Sequence, residues 1–311
     1  MEDISDRVKE LLDSQLKEWN LASVNYRLLA NVRTREIDFN DFRLLVQFNP
    51  ERIRSSAAKV DSKSIEERPC FLCEKNRPPE QTGVDFSDEM VILVNPFPIF
   101  SKHLTIPSEE HILQRIKNNF GKMLDLAKAL PDFVIFYNGP ECGASAPDHL
   151  HFQAGNRGFL SVEKDFEDKR LLTKVKSANH FEMWQWKHYL RGIISLRGSN
   201  VELLMKSFND IYEGLSEIQQ GKPEPMLNIL AYFTDENWIV HIIPRKLHRP
   251  SQYFAEKEKK ILLSPASVDL GGVLIVPREE DFEKITAEDI GDIFGQVCLD
   301  DSEIKKLTSY V

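Results

Sequence analysis

A chain of 311 residues, 41% hydrophobic and 29% charged, is long enough for two packed units or one large one. Its formal charge of −9 argues against general nucleic-acid binding, which needs a basic footprint, but not against a local basic pocket for a nucleotide. No stretch approaches the roughly 20 apolar residues of a membrane helix. Four cysteines are too few for a disulfide framework. Met1-Glu-Asp-Ile-Ser-Asp has neither the basic start nor the apolar core of a signal peptide. A reduced, cytoplasmic protein with no membrane or nucleic-acid partner is expected.

Val8, Leu11, Leu12, Leu16 and Trp19 recur at helical spacing, which predicts an amphipathic packing helix from Asp3 to Trp19. Phe42 to Phe48 reads as a strand. It runs into Asn49-Pro-Glu-Arg52-Ile-Arg54-Ser55-Ser56-Ala-Ala-Lys59. Arg52, Arg54, Ser55 and Lys59 are candidates to grip phosphates or sugar hydroxyls, against the plainer reading of a solvated loop. Cys70-Phe-Leu-Cys73 can bite one metal ion, because the turn between the cysteines brings both sulfurs to one point. It is half a site only. A redox pair, which would want a βαβ pattern around it, and two unrelated core cysteines are the rival readings.

Val91–Val94 predicts a strand with His103-Leu-Thr-Ile-Pro107 as its hairpin partner. Ser108 then caps a helix that carries Ile112, Ile116, Phe120, Met123, Leu124, Ala127 and Leu130. His111 sits at the strand-to-helix corner, either reaching the sheet end or facing solvent. Phe133–Tyr137 predicts a buried strand. A loop of small residues follows, Asn138-Gly-Pro-Glu-Cys-Gly143-Ala144-Ser145-Ala-Pro-Asp148, and then the alternation His149-Leu-His151-Phe-Gln153. Alternate strand residues face the same way, so His149, His151 and Gln153 share one face and Asp148 faces away from the two histidines. Arg157 to Arg170 is polar and is expected to loop over the site. A strand from Phe181, a helix over Val201–Ile218, a hairpin across Asp235-Glu-Asn237, a strand at Leu274–Pro277 and a final helix from about Thr286 complete the chain. Both halves run strand, hairpin, helix. This predicts an α+β protein of two related units, residues 1–178 and 179–311, each an antiparallel sheet with packed helices.

Three readings of the His-x-His pair stand side by side. Imidazole is largely neutral at pH 7, so His151 can attack phosphorus and carry a nucleotide to a second acceptor. Gln153, Ser145 and the N–H groups of Gly143 to Ser145 would then meet the charge on the non-bridging oxygens. A metal pair is the second reading, although a hydrolytic metal centre would want carboxylates nearer than Asp148 offers. Purely structural histidines are the third.

His149-Leu-His151-Phe-Gln153 resembles the His-x-His-x-Gln signature of one branch of the histidine-triad superfamily. That branch holds the galactose-1-phosphate uridylyltransferases, the GDP-hexose phosphorylases and the diadenosine tetraphosphate phosphorylases. Cys70-Phe-Leu-Cys73 and His103-Leu-Thr-Ile-Pro-x-x-x-His111 are similar to further parts of its pattern, as is Asp269-Leu-Gly-Gly-Val-Leu-Ile-Val-Pro-Arg-Glu-Glu-Asp-Phe. The likeness touches residues 42 to 285 in patches. It implies two histidine-triad-like units and His151 as nucleophile, with Gln153 on the transferred phosphate. It implies a structural zinc on Cys70, Cys73, His111 and His149, and no organic cofactor. Asn138, Gly143, Ala144 and Ser145 would line the phosphate site. The expected substrate is a nucleoside-diphosphate sugar or a dinucleoside polyphosphate, with inorganic phosphate or a sugar phosphate as acceptor; a catalytically silent nucleotide-binding protein is the alternative. Uridylyltransferases carry Pro where this chain has Leu150, which favours the phosphorylases. Their dimeric state implies a possible homodimer. The spacing of His241 and His248 does not match the second metal pair of some uridylyltransferases.

Overall fold

Short turns leave neighbouring strands no geometry but the antiparallel one, and the chain follows that rule almost throughout. The computed structural model describes residues 3–53, 62–87 and 89–309. In chain order the strands are β1 (Arg33–Asp38), β2 (Arg43–Phe48), β3 (Gly83–Phe86), β4 (Met90–Val94), β5 (His103–Pro107), β6 (Phe133–Asn138), β7 (His151–Asn156), β8 (Leu172–Ala178), β9 (Phe181–Trp186), β10 (Ile194–Gly198), β11 (Leu227–Thr234), β12 (Asn237–Pro244) and β13 (Val273–Val276). The hairpin between β11 and β12 turns on two left-handed residues, Asp235 (φ 48°) and Glu236 (φ 58°). Two such residues give the turn whose twist matches paired strands.

Ten strands form one sheet in the order β3-β4-β5-β7-β6-β11-β12-β10-β9-β8. Read inward from each edge, the two halves of that order are the same. Three sequential strands lead in, a helix intervenes, and the last two strands enter in reversed order. The helix is Phe120–Ala129 in the first run and Val201–Ile218 in the second. β6 and β11 join the runs, with Asn138 opposite Asn228. A second sheet, β1-β2-β13, pairs β2 in parallel with β13 from the far end of the chain.

Alternation along the strands sends side chains into two cores. On one face Leu104, Ile106, Ile135 and Phe152 pack against the helices Ile4–Glu18, Phe120–Ala129 and Val201–Ile218. The other face packs against the small sheet and the C-terminal helices through Val46, Phe166, Val273, Phe282 and Phe294. Among the described residues no helix is long and apolar enough to cross a membrane.

Two expectations need correction. The helix read from Ser108 begins only at Phe120. Backbone groups ahead of it are taken elsewhere: Leu150 N–H donates to Ile112 O (2.6 Å), Gln114 N–H to Pro147 O (3.4 Å) and Ile116 N–H to the Glu224 carboxylate (2.7 Å). In that segment Ile116 is buried while Ile112 and Leu113 are exposed, so the apolar spacing marks no helical face. Residues 157–170 do not arch over the site. Leu160, Val162 and Phe166 are buried in the second core, and a short helix, Ser161–Asp165, carries them there.

Candidate active site

β7 begins at His151, so His149 lies in the loop just before it and its ring is turned elsewhere. His149 Nε2–H donates to Ser108 O at 2.8 Å, which leaves the Nδ1 lone pair facing Cys70 Sγ at 3.2 Å and Cys73 Sγ at 3.6 Å. Cys73 Sγ also lies 3.1 Å from His111 Nδ1. The four donor atoms all fall within 4.8 Å of one another. Two thiols and two imidazoles at that spacing suit tetrahedral zinc, and a carbonyl holding the far nitrogen of a ligand His is the usual supporting contact. Asp148 does not face away from this group. It pairs with Arg68 at 3.0 Å and approaches His111 Nε2 at 3.6 Å.

His151 lines a cavity of about 710 Å³ together with Gln153, Asn138 and the loop Gly143–Ser145. Its backbone is pinned by Gln114, whose carboxamide accepts from His151 N–H (2.7 Å) and donates to His151 O (3.1 Å). Its Nδ1–H donates to His149 O at 2.8 Å, so Nε2 carries the lone pair. Burial pushes this imidazole down to about 4. The Gln153 amide is oriented by a relay. Ile99 N–H donates to His103 Nδ1 (3.1 Å), and His103 Nε2–H donates to Gln153 Oε1 (3.1 Å). The Gln153 NH₂ group is left as the donor end. Burial drives the His103 pKa to about 3, which keeps it neutral.

The loop after β6 is shaped by the C-terminal half of the chain. Asn138 Oδ1 accepts from Asn228 Nδ2 (2.8 Å), Ser267 N–H (2.9 Å) and Ser267 Oγ–H (2.7 Å). Asn138 thus fixes the loop and its carbonyl oxygen is fully used. Gly143 holds φ at +97°, and a Cβ there would meet Ala266 Cβ at 2.7 Å; only glycine fits both demands. Arg52 also lines the cavity, donating to Phe97 O at 2.7 Å. Burial lowers its pKa to about 10, against the pull of Asp269. Arg54, Ser55 and Lys59 lie outside the described residues.

Although the chain is acidic overall, the ionised side chains around the cavity lean positive: Arg52, Arg68 and Arg249 against Glu51 and Asp269. Burial raises the Asp269 carboxyl to about 6 while Ala266 N–H and Ile275 N–H bind its oxygens. The sequence reading missed His103, Gln114, Arg249 and Asp269. His103 stood in a recognised strand, but its role depends on Gln153 fifty residues away, which no local pattern reveals. In the second run β12 takes the place of β7 and carries His241. That ring is sealed among Phe166, Trp186 and Tyr232, with its Nδ1 2.7 Å from Ser195 Oγ.

Residues 11–156 match the family described as a domain of unknown function (DUF4922), and residues 162–311 match the family described as "GDPGP1-like, C-terminal domain". No curated protein matches the chain. The crystal structure of yeast Ap4A phosphorylase Apa2 in complex with Ap4A aligns over 92% of this chain and 95% of its own, at 16% identity and a TM-score of 0.60. The same enzyme in complex with AMP aligns over 91% and 96%, at 17% identity and a TM-score of 0.56. Identity this low speaks for the fold alone. The chain thus shares the fold of yeast Ap4A phosphorylase Apa2, its second half is similar to the GDPGP1-like C-terminal domain, and its His-x-His-x-Gln strand is set in that fold.

Proposed function

We propose that this protein is a nucleotidyltransferase of the phosphorylase type that works by double displacement through His151. The preferred donor is a nucleoside-diphosphate sugar. One observation carries the reading: His151 Nδ1–H is committed to His149 O, which leaves Nε2 as the lone-pair nitrogen of a ring that lines a cavity with three arginines in its wall. In the first step Nε2 attacks the α-phosphorus; an N–P bond forms and the bridging P–O bond breaks, releasing the sugar phosphate. In the second step an oxygen of inorganic phosphate attacks the same phosphorus, the N–P bond breaks, and a nucleoside diphosphate leaves. The Gln153 NH₂ group and the loop Gly143–Ser145 are the donors for the non-bridging oxygens. Preorganised donors of this kind supply about 3 kcal/mol each when aimed at developing charge.

Zinc, where bound, would be held by Cys70, Cys73, His111 and His149 and would act as a structural cross-link. His149 would then anchor the carbonyl that sets the His151 tautomer. The Apa2 complexes with Ap4A and AMP support a second donor class, the diadenosine polyphosphates, for the same chemistry. In either case the N-terminal part supplies the nucleophile and the C-terminal part completes the pocket.

Intact-protein mass spectrometry tests this. Wild type and His151→Ala are mixed with UDP-, GDP- and ADP-hexoses and with diadenosine tetraphosphate, without phosphate. A mass gain of one nucleoside monophosphate in wild type alone is expected, and its discharge on adding phosphate. Nucleotide binding with no adduct from any donor would refute the covalent mechanism and favour a silent binding protein.

A further inference from the structure

Arg245 directly follows β12 and is fully buried. All five of its N–H groups donate. Nε reaches Val297 O (3.1 Å), Nη1 reaches Asn228 Oδ1 (2.6 Å) and Pro265 O (2.9 Å), and Nη2 reaches Leu247 O (3.0 Å) and His248 O (3.1 Å). Five is the full complement of a guanidinium. Every one of these acceptors is neutral. A buried guanidinium normally sits against a carboxylate; here, among the described residues, no contact of that kind offsets the charge.

The fork sets two segments of the cavity wall at once. The first, Leu247-His248, leads into Arg249. The Arg249 Nε–H donates to Ser264 Oγ at 3.2 Å, and its guanidinium lies 4.3 Å from the centroid of the Tyr253 ring. The second, Pro265, leads into Ala266, which abuts Gly143, and into Ser267, which donates to Asn138. A third arm, Asn228, donates to Asn138 Oδ1 and to Cys142 O, both at 2.8 Å. One rigid frame therefore ties Arg249 to the loop beside His151. Arg249, His248 and Ser264 line the same cavity as His151 and Gln153.

We propose that Arg249, positioned by Arg245, is the anion subsite for the phosphate beyond the transferred phosphorus. It takes the β-phosphate of the donor and, in the second step, the inorganic phosphate that replaces it. This rests on the nucleotidyl-transfer reading above. Arg249 touches the substrate; Arg245 is a positioning residue.

The test is calorimetric binding to the full chain in a His151→Ala background, so that no transfer intervenes. The probes are AMP, GMP and UMP, each against ADP, GDP and UDP. The parent is expected to bind the diphosphate of the accepted base about tenfold more tightly than its monophosphate, a charge-assisted pair of about 1.4 kcal/mol. Arg249→Gln is expected to abolish that preference while leaving the monophosphate Kd within about twofold, since a monophosphate does not reach the subsite. Arg245→Lys keeps the charge but cannot span all its acceptors; because the same frame supports the loop beside His151, it is expected to weaken the diphosphate more than the monophosphate and so to reduce the preference. A general loss of structure would instead weaken both ligands together. If Arg245→Lys fails to fold, Arg249→Gln decides alone. An undiminished diphosphate preference in Arg249→Gln overturns the subsite. Equal mono- and diphosphate binding in the parent also overturns it and leaves nucleotide binding standing. No binding of any of the six probes refutes the proposed function itself.

Discussion

Glu224 shows how one side chain records the balance of burial and bonding. Tyr137 Oη–H donates to its Oε2 at 2.6 Å and Ile116 N–H to its Oε1 at 2.7 Å. Burial outweighs both and raises the carboxyl to about 7. The folded state therefore holds this proton more tightly than the unfolded chain, whose glutamate titrates near its ordinary value of 4.5. The stability linked to Glu224 is fully present below about pH 4.5 and is lost as pH rises toward 7, by up to about 3 kcal/mol. Glu224→Gln lacks that titration. Its stability relative to wild type is expected to rise between pH 5 and pH 8 in urea denaturation, and a constant difference would disprove the linkage. At this scale the sequence was partly legible. His151 and Gln153 share a face by strand alternation, and Cys70-x-x-Cys73 is a recognisable half site. His103, Arg245 and Arg249 were not legible, because each acquires its role from a partner in a remote segment.

The elements around the Cys-x-x-Cys turn show what a cross-link would do. Residues 70–73 contribute only Cys70, Leu72 and part of Cys73 to a small apolar cluster with Ala146, too little to hold a loop by packing. The proposed zinc would tie that turn to the corner at His111 and to the loop ahead of β7. One zinc per chain is expected by elemental analysis. Cys73→Ser is expected to lose it and to lower the thermal midpoint on the order of 10 °C; unchanged metal content in that variant would show that the ion lies elsewhere. Most elements were readable from periodicity, the helix Val201–Ile218 to the residue. The segment 109–116 was not, because its spacing is helical while its hydrogen bonds run to Pro147, Leu150 and Glu224.

On the scale of the whole molecule, the continuous sheet makes the two runs of strands one cooperative body. β6 and β11 share four residue pairs at the centre, and β13 closes β2 from the other end of the chain. Trp19 is buried in the first half and Trp184, Trp186 and Trp238 in the second. Unfolding followed through a variant with Trp19 alone is expected to coincide with that of a variant with only the other three. Separated midpoints would mean that the halves unfold independently. Two related units were visible in the order of elements; their fusion into one sheet was not, because strand pairing across a junction leaves no periodic trace. The placement of residues 264–276 has a consequence for biosynthesis. A ribosome delivers His151 long before it delivers Ala266, Ser267 and β13, so the nascent chain carries its imidazole beside an unfinished wall, with β2 paired to β1 alone. Completion of the cavity thus comes late in synthesis, and a chain stalled before residue 264 would present the proposed nucleophile without the frame that aims it.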